Sequence, residues 1–566
     1  MKRFRFVLAF FLGCAALVCS VLATDILTDR GDNARTGLNA NETVLTPSII
    51  SSASFGLLYN NPVDGQVYAQ PLYVSNQLII VNGQSQGTHN VLYVATEHDS
   101  LYAFDADSGV QYWKTSLLLS GESPVSSNDV NCTDLQPEIG ITATPVIDRS
   151  AGPNGTIFVV AMSKNANNFF HRLHAVDLST GQDRLNPVII SGSVTGTGPA
   201  TTFVALQQRN RAGLLLLNNV IYTAWGSFCD NPPYAGWIIG YNENDFSSTV
   251  ALFNTDPNGP TNDPTDPLSG SGNGVWQSGN GPATDANNNI YISTGNGPFD
   301  SLNQSGFPAN GDFGDSVLKL TAIGGLSVSD FFTPSNQLSD RNVDKDLGSG
   351  GPMVLDIVDT SGITHHLLSQ AGKDSNLYLL DRNNLGRFHS SNQIYQELDG
   401  VLPSGVWSSP AYFNGSIYQG CGPLGGSGPL LQLQFDFTIP SGPLLKPTPT
   451  SSTRTQFDYP GATPTISSNG TTNGIVWAYE QNNGQAILHA YDATNLQTEL
   501  FNSGSIGSIG GAVKFAVPTV CNGKVFVGTS NSIAAFGNLA GKSHHKERSS
   551  DSLMDGGVQI EPSAEE

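Results

Sequence analysis

The feature that most constrains the fold is a pattern of strands and turns that recurs along nearly the whole chain. Each copy has a short strand, often led by proline, a second strand ending in small residues, and an outer strand closing on Asp and a turn. The clearest copy starts at Pro71 and closes at Asp105-Ala106-Asp107-Ser108-Gly109. Further copies start near residues 145, 214, 282, 352, 410, 464 and 518, which gives eight units spaced 54 to 74 residues apart. Such units bury their faces only by stacking on their neighbours.

Each unit is typical of a four-stranded antiparallel sheet, because β-branched and aromatic runs alternate with Gly, Asn and Asp turns. The 62 glycines and 32 prolines fit this pattern. We therefore expect an all-β fold, an eight-bladed β-propeller of four-stranded antiparallel blades, with seven blades as the alternative. The last unit is one strand short, so residues 24–60 are expected to supply a strand that closes a single domain over residues 24–540. Residues 440–455 are rich in Pro, Ser and Thr and are predicted to form a long surface loop.

The closing turn of each unit has a physical explanation. In the first copy, Asp105 is expected to accept backbone N–H groups of the turn, and Gly109 to adopt a positive φ. Trp113, which follows, is expected to pack between blades.

The two ends of the chain differ from the repeats. A basic start (Met1-Lys2-Arg3-Phe4-Arg5) precedes an uncharged apolar run over residues 6–21 and the small residue Ala23. This pattern predicts a signal peptide over residues 1–23, and hence a secreted, extracellular protein without a membrane span after cleavage. Residues 541–566 are polar and are predicted to form a disordered tail.

Composition agrees with export and excludes some partners. Asp and Glu number 47 against 25 Lys and Arg, a net charge of −22, which argues against nucleic acid as a partner. The mature chain keeps four cysteines, which allow three pairings that the sequence does not separate. We expect a glycosylated monomer, with Asn-x-Ser/Thr acceptors at Asn41, Asn131, Asn154, Asn303, Asn414 and Asn469. These cysteines are Cys132, Cys229, Cys421 and Cys521, and no Cys-x-x-Cys-His motif for covalent haem occurs.

The repeat resembles the tryptophan-docking repeat of the quinoprotein alcohol dehydrogenases, which are eight-bladed propellers that bind pyrroloquinoline quinone (PQQ). Four positions are similar to that family's site. Trp276 matches the residue on which the quinone stacks, and Asn296, in Ser293-Thr294-Gly295-Asn296-Gly297, matches a calcium ligand. Asp346 falls where the family carries its general base, beside the metal, and Lys373 matches a cation near the quinone carbonyl.

The resemblance implies a division of roles. Trp276, Asn296 and Lys373 would bind PQQ, Asn296 and Asp346 would hold calcium, and Asp346 and Lys373 would be catalytic. The sequence departs from the family at two points. Residues 164–168, where a calcium-binding Glu is expected, contain no carboxylate, and the family's adjacent cysteine pair is absent, with only Cys132 in a comparable loop.

Two functions therefore follow from the sequence. One is a secreted quinoprotein-like oxidoreductase that oxidises an alcohol or sugar and passes electrons to a non-haem acceptor. The alternative is a non-catalytic propeller that binds extracellular glycans or proteins. The four matched positions favour the oxidoreductase, and the two departures favour the binding protein.

Overall fold

The computed structural model describes residues 24–246, 248–259, 271–322 and 325–539. The predicted signal peptide and polar tail lie outside these residues. The described chain is almost entirely β-structure, with short α-helices at Pro47–Ile50 and Gln337–Arg341. Single 3-10 turns occur at Asp29–Gly31, Gln277–Gly279, Leu347–Ser349 and Ser503–Ser505. None of the described helices has the length and apolar character needed to cross a bilayer.

The strands form four-stranded antiparallel sheets that follow one another along the chain. Numbered in chain order, the first four are sheet 1 (Leu72–Val81, Gln84–Ala95, Ser100–Asp105, Gln111–Ser116), sheet 2 (Val146–Asp148, Thr156–Asn165, Asn168–Asp177, Val188–Ile189), sheet 3 (Leu215–Leu217, Val220–Ser227, Trp237–Asn242, Thr249–Asn254) and sheet 4 (Ala283–Thr284, Ile290–Ser293, Val317–Thr321, Ser327–Phe332).

The next four are sheet 5 (Met353–Val358, Thr364–Ala371, Leu377–Asp381, Gln396–Leu398), sheet 6 (Ala411–Phe413, Ser416–Gly420, Leu430–Asp436, Leu444–Leu445), sheet 7 (Thr465–Asn469, Thr472–Asn482, Gln485–Asp492, Glu499–Asn502) and sheet 8 (Thr519–Cys521, Lys524–Gly528, Ser532–Asn538, Phe55–Pro62). The remaining short strands are Leu38–Asn39, Ser123–Ser126, Glu138–Ile139, Gln208–Arg209, Ser427–Gly428, Ser451–Ser452 and Phe457–Asp458.

Sheet 8 joins the two ends of the described chain. Its fourth strand, Phe55–Pro62, comes from the N-terminal region and pairs antiparallel with Ser532–Asn538. The first strands of sheets 1 and 8 are also in contact, and Thr519 Oγ1 donates to the carbonyl of Pro71 at 2.6 Å. The sheets therefore close on themselves, as in a β-propeller, and leave no free edge at this junction.

Neighbouring sheets share buried apolar clusters. Phe158 of sheet 2 and Trp237 of sheet 3 belong to one cluster, and Leu379 of sheet 5 and Leu433 of sheet 6 belong to another. Because each sheet buries its faces on the sheets beside it, no sheet has a core of its own.

The structure confirms the expected chemistry of the closing turn. Asp105 Oδ1 accepts the backbone N–H groups of Asp107 and Ser108 at 3.0 and 2.7 Å, and Gly109 has φ +79°. Trp113 packs on the turn of sheet 2, where a β-carbon on Gly181 would lie 2.7 Å from the indole ring. The tryptophan of one sheet thus fits a space that glycine leaves in the next.

The prediction of a long loop over residues 440–455 was wrong in part. Leu444–Leu445 is the fourth strand of sheet 6, and the Gln396 side chain of sheet 5 hydrogen-bonds both the N–H and the carbonyl of Leu445 at 2.8 Å. This strand pairs antiparallel with Phe435 and Asp436 of the third strand, and two residues are too few to show alternation in the sequence.

An N-terminal segment, residues 26–39, connects all of these sheets. We call it the axial segment, because it hydrogen-bonds the first strand of each sheet in chain order. The bonded residues of sheets 1 to 8 are Tyr73, Ile147, Leu216, Thr284, Val354, Tyr412, Ile466 and Val520, at 2.7–3.0 Å. First strands of successive sheets surround the centre of a propeller, so the axial segment lies across that centre.

Arg35 is the buried anchor of the axial segment. Its guanidinium is fully enclosed and donates to the carbonyls of Asp29, Leu214 and Pro282 and to Thr28 Oγ1, at 2.7–3.3 Å. It therefore links the axial segment to the residues that lead into sheets 3 and 4.

Replacing Arg35 should destabilise the whole protein. In Arg35→Leu, several buried carbonyl groups lose their donor, and we expect the free energy of unfolding to fall by about 3 kcal/mol. Arg149→Gln is the matched control, because Arg149 pairs with Asp25 at the surface at 2.6 Å and should contribute at most about 1 kcal/mol. Urea denaturation of both variants measures the difference. Equal losses in the two variants would contradict an anchoring role for Arg35.

Candidate active site

A pocket of about 150 Å³ opens on the side of the axial segment from which the first strands start. Most of its walls come from residues just before the first strand of a sheet or just after the second. The pocket lining includes Arg209, Arg211, Asp230, Trp276, Asp346 and Lys373. The axial segment lies directly beneath, since Asp29 accepts the N–H of Gly281 at 2.9 Å, only three residues beyond Ser278 of the lining.

Trp276 forms a flat wall of the pocket. A β-carbon added to Gly226, Gly274 or Gly295 would lie 2.4–2.6 Å from its ring, so three glycines allow the indole to rest directly on the backbone. The indole Nε1 donates to the carbonyl of Ser227 at 3.0 Å, which fixes the ring. The exposed face of a fixed aromatic ring in a pocket is suited to stacking on a planar ligand.

The structure brings Asn296, Asp346 and Lys373 together, and places Trp276 beside them. Asp346 Oδ1 accepts the backbone N–H of Asn296 at 2.5 Å, and Asp346 Oδ2 pairs with Lys373 Nζ. Lys373 Nζ also pairs with Asp344 at 2.8 Å. A β-carbon on Gly295 would lie 2.7 Å from Asp346 Oδ1, so glycine is required between Trp276 and this carboxylate.

The charges in this cluster depend on one another. Burial alone would lower the pKa of Lys373, but the carboxylates of Asp346 and Asp344 outweigh it and hold that pKa above its ordinary value. Lys373 is therefore a cation at neutral pH. Asp315, enclosed behind Asp346, has its pKa raised by burial and by the charge of Asp346, and it accepts the N–H of Leu347 at 3.2 Å. Asp315 thus fixes the backbone that carries Asp346.

The side chains present fit a hard cation. Asn296 Oδ1 is buried and accepts no hydrogen bond from any described residue, while its Nδ2 is held by Asp344 at 2.8 Å. An orphaned amide oxygen beside a carboxylate is the kind of donor that Ca²⁺ prefers.

The carboxylate that the sequence lacked over residues 164–168 is supplied elsewhere. Asp230 follows the second strand of sheet 3 and lines the same pocket as Asp346. Desolvation, with a further contribution from the charge of Asp346, raises the pKa of Asp230 to about 6. A carboxylate therefore lines the pocket from the loop after the second strand of sheet 3, although residues 164–168 contain none.

The cysteines form one disulfide, which also reaches the pocket. Cys132 and Cys229 are bonded with a Cα–Cα distance of 5.6 Å, although 97 residues separate them in sequence. Cys229 lines the pocket, so a disulfide is present there although the family's adjacent pair is absent. Cys421 and Cys521 are buried free thiols, so none of the three double pairings occurs. Asp134 lies beside the bonded sulfurs, but a disulfide offers no thiolate to a metal.

The arginine and aromatic residues that line the rest of the pocket were not predicted from the sequence. Arg209 and Arg211 precede sheet 3, and Trp407, Tyr459 and Phe515 precede sheets 6, 7 and 8. These residues carry no motif of their own. Their position just before a first strand was the only available signal.

Comparison with known proteins shows the fold. No family model matches the chain, and no curated protein matches it in sequence. Among solved structures, it is similar to a quinohemoprotein alcohol dehydrogenase from Comamonas testosteroni (15% identity over 94% of this chain and 83% of that one, TM-score 0.60). It is also similar to one from Pseudomonas putida HK5 (13%, 95% and 82%, TM-score 0.57) and to a europium-containing methanol dehydrogenase (11%, 91% and 98%, TM-score 0.57). The chain therefore has the propeller fold of the PQQ-dependent dehydrogenases.

Proposed function

We propose that the protein is a secreted oxidoreductase that binds PQQ and a calcium ion in this pocket and oxidises an alcohol or a sugar. The single observation that carries the proposal is that Trp276, Asp346 and Lys373 line one pocket and that Asn296 is hydrogen-bonded to Asp346 beside it. These residues span nearly 100 positions of sequence and lie beside the first and second strands of sheets 4 and 5, and each has the chemistry that such a site requires. We also propose that the eight sheets are the eight blades of one closed domain.

The residues would divide the work as follows. Trp276 would stack against the planar ring system, and Asn296 Oδ1 with the carboxylates of Asp346 and Asp230 would hold the calcium ion. PQQ, when bound, would supply the oxidising power as a hydride acceptor. Asp346 would take the hydroxyl proton of the substrate on a carboxylate oxygen, and Lys373 would present a positive charge beside it.

Secretion is supported by two further observations. A disulfide is expected in an oxidising compartment. Five of the six glycosylation acceptors are exposed, and Asn154 is half-buried, with its amide donating to Asp177 at 2.9 Å. A glycan on Asn154 would require that amide to turn outward.

Binding of PQQ is the first test. Titration with PQQ and Ca²⁺ should quench tryptophan fluorescence, and at 100 times the dissociation constant it should stabilise the fold by about 2.7 kcal/mol. Trp276→Leu should weaken PQQ binding by on the order of tenfold or more, through loss of stacking. Trp113→Phe, between sheets 1 and 2, is the matched control and should bind normally. No binding to the wild type would favour the alternative, a propeller that binds glycans or proteins.

The role of Asp346 can be tested by turnover. Asp346→Asn keeps the shape of the side chain but not the base, so dye-linked alcohol oxidation should fall by roughly 100-fold or more. The exposed Asp399→Asn is the control and should keep wild-type turnover. Full activity in Asp346→Asn would rule out Asp346 as the base.

The metal site has a test that does not depend on turnover. Asp230→Asn removes one negative charge from the proposed ligand set and should weaken Ca²⁺ binding by about tenfold or more. Calorimetry measures the Ca²⁺ affinity. Asn296→Ala should do the same, because it removes the unpaired amide oxygen. Unchanged affinity in both variants would place the ion elsewhere.

A further inference from the structure

Two arginines of the pocket have no role in the mechanism above. Arg209 and Arg211 precede sheet 3, line the pocket, and are only 5% and 4% exposed. Buried guanidinium groups are normally paired with carboxylates, because desolvation of an unpaired charge is costly. The partners of these two are therefore informative.

Neither arginine is fully paired by the described protein. Among the described residues, the Arg211 side chain donates a hydrogen bond to the carbonyl of Ser278 at 3.3 Å and forms no ion pair with a carboxylate. Arg209 reaches only Asp134, at 3.3 Å, and its Nε is buried without an acceptor. Asp134 is itself shared with Lys514 at 3.6 Å. Arg209 and Lys514 thus share one half-exposed carboxylate and Arg211 has no ion pair among the described residues, in a chain whose net charge is −22.

The Arg211 guanidinium is also held in place in advance. It lies 4.8 Å from the ring centre of Phe515, and a β-carbon on Gly279 would come within 2.6 Å of its Nη1. Gly279 has φ +91°, a conformation that other residues seldom adopt. Burial, with a smaller contribution from the like charge of Arg209, lowers the pKa of Arg211 to about 10, so it stays charged at neutral pH.

We propose that Arg209 and Arg211 form a carboxylate-binding subsite of the pocket. A carboxylate accepts two parallel hydrogen bonds from a guanidinium fork, and it would give Arg211 the direct ion pair that the nearby charges of Glu97 and Asp29 do not form. The subsite deepens the proposed function, on which it rests, by specifying that the ligand carries a carboxylate. That group is either one of the three carboxylates of PQQ or a carboxylate on the substrate.

Binding measurements separate the two sources. Calorimetry in Ca²⁺-free buffer would use PQQ, its uncharged trimethyl ester, and glutarate as a simple dicarboxylate. Arg209→Gln and Arg211→Gln should weaken carboxylate binding by on the order of 10- to 100-fold and leave ester binding unchanged. The exposed Arg454→Gln is the matched control and should match the wild type. If the arginine variants lose affinity for PQQ alone, the subsite binds a carboxylate of the cofactor. If glutarate still binds to protein that is already loaded with PQQ, the subsite binds a carboxylate of the substrate.

The outcomes also distinguish this inference from the proposed function. If PQQ and its ester bind equally and glutarate does not bind, the subsite is refuted while a PQQ enzyme still stands. If glutarate binds through the arginines but PQQ does not bind, the subsite stands and the PQQ enzyme is refuted. Should a Gln variant fail to fold, Arg209→Lys and Arg211→Lys keep the charge without the fork and should weaken binding about tenfold. The affinities of the wild-type protein for glutarate and for its uncharged diamide can also be compared, which tests the same point without any variant.

Discussion

The hydrogen bonds between the axial segment and the first strands are the constraint on which the rest of the structure depends. Residues 26–39 bond to every sheet from 1 to 8, and the enclosed Arg35 anchors them. Without the axial segment, the first strands of the sheets would surround a solvent-filled central channel. With the axial segment across it, the channel becomes a pocket with a base, and the loops before the first strands become its walls. A site built from many sheets keeps its geometry only if those sheets keep theirs.

The sequence could predict the features that repeat. The Asp105 turn recurs in kind at Asp177, Asp381 and Asp492, so its geometry followed from local chemistry. Trp276, Asn296, Asp346 and Lys373 could be found because the repeats set their order; three of them line one pocket, and Asn296 is hydrogen-bonded to Asp346. Their roles in binding and catalysis stay predictions.

Other parts of the site depend on contacts that no local pattern encodes. Asp230 was missed because its loop has no fixed length, and the partner of Cys132 lies 97 residues away. Arg209 and Arg211 resemble ordinary charged residues until the structure shows them enclosed without full pairing. The strand at Leu444–Leu445 was missed because two residues show no alternation, and the Gln396 side chain that hydrogen-bonds Leu445 lies 49 residues away. In each case the decisive neighbour is distant in sequence and specific to this chain.

The axial segment also affects how the chain can be made. Asn39 bonds to Val520 across 481 residues, and Phe55–Pro62 pairs only with Ser532–Asn538. The N-terminal strands of the described chain therefore have no partners until residues 520–538 have been synthesised. Until then sheet 8 lacks most of its strands, and the apolar faces of sheets 1 and 7 that it covers stay open to water. The ring of sheets thus closes only after nearly all of the described residues have been made.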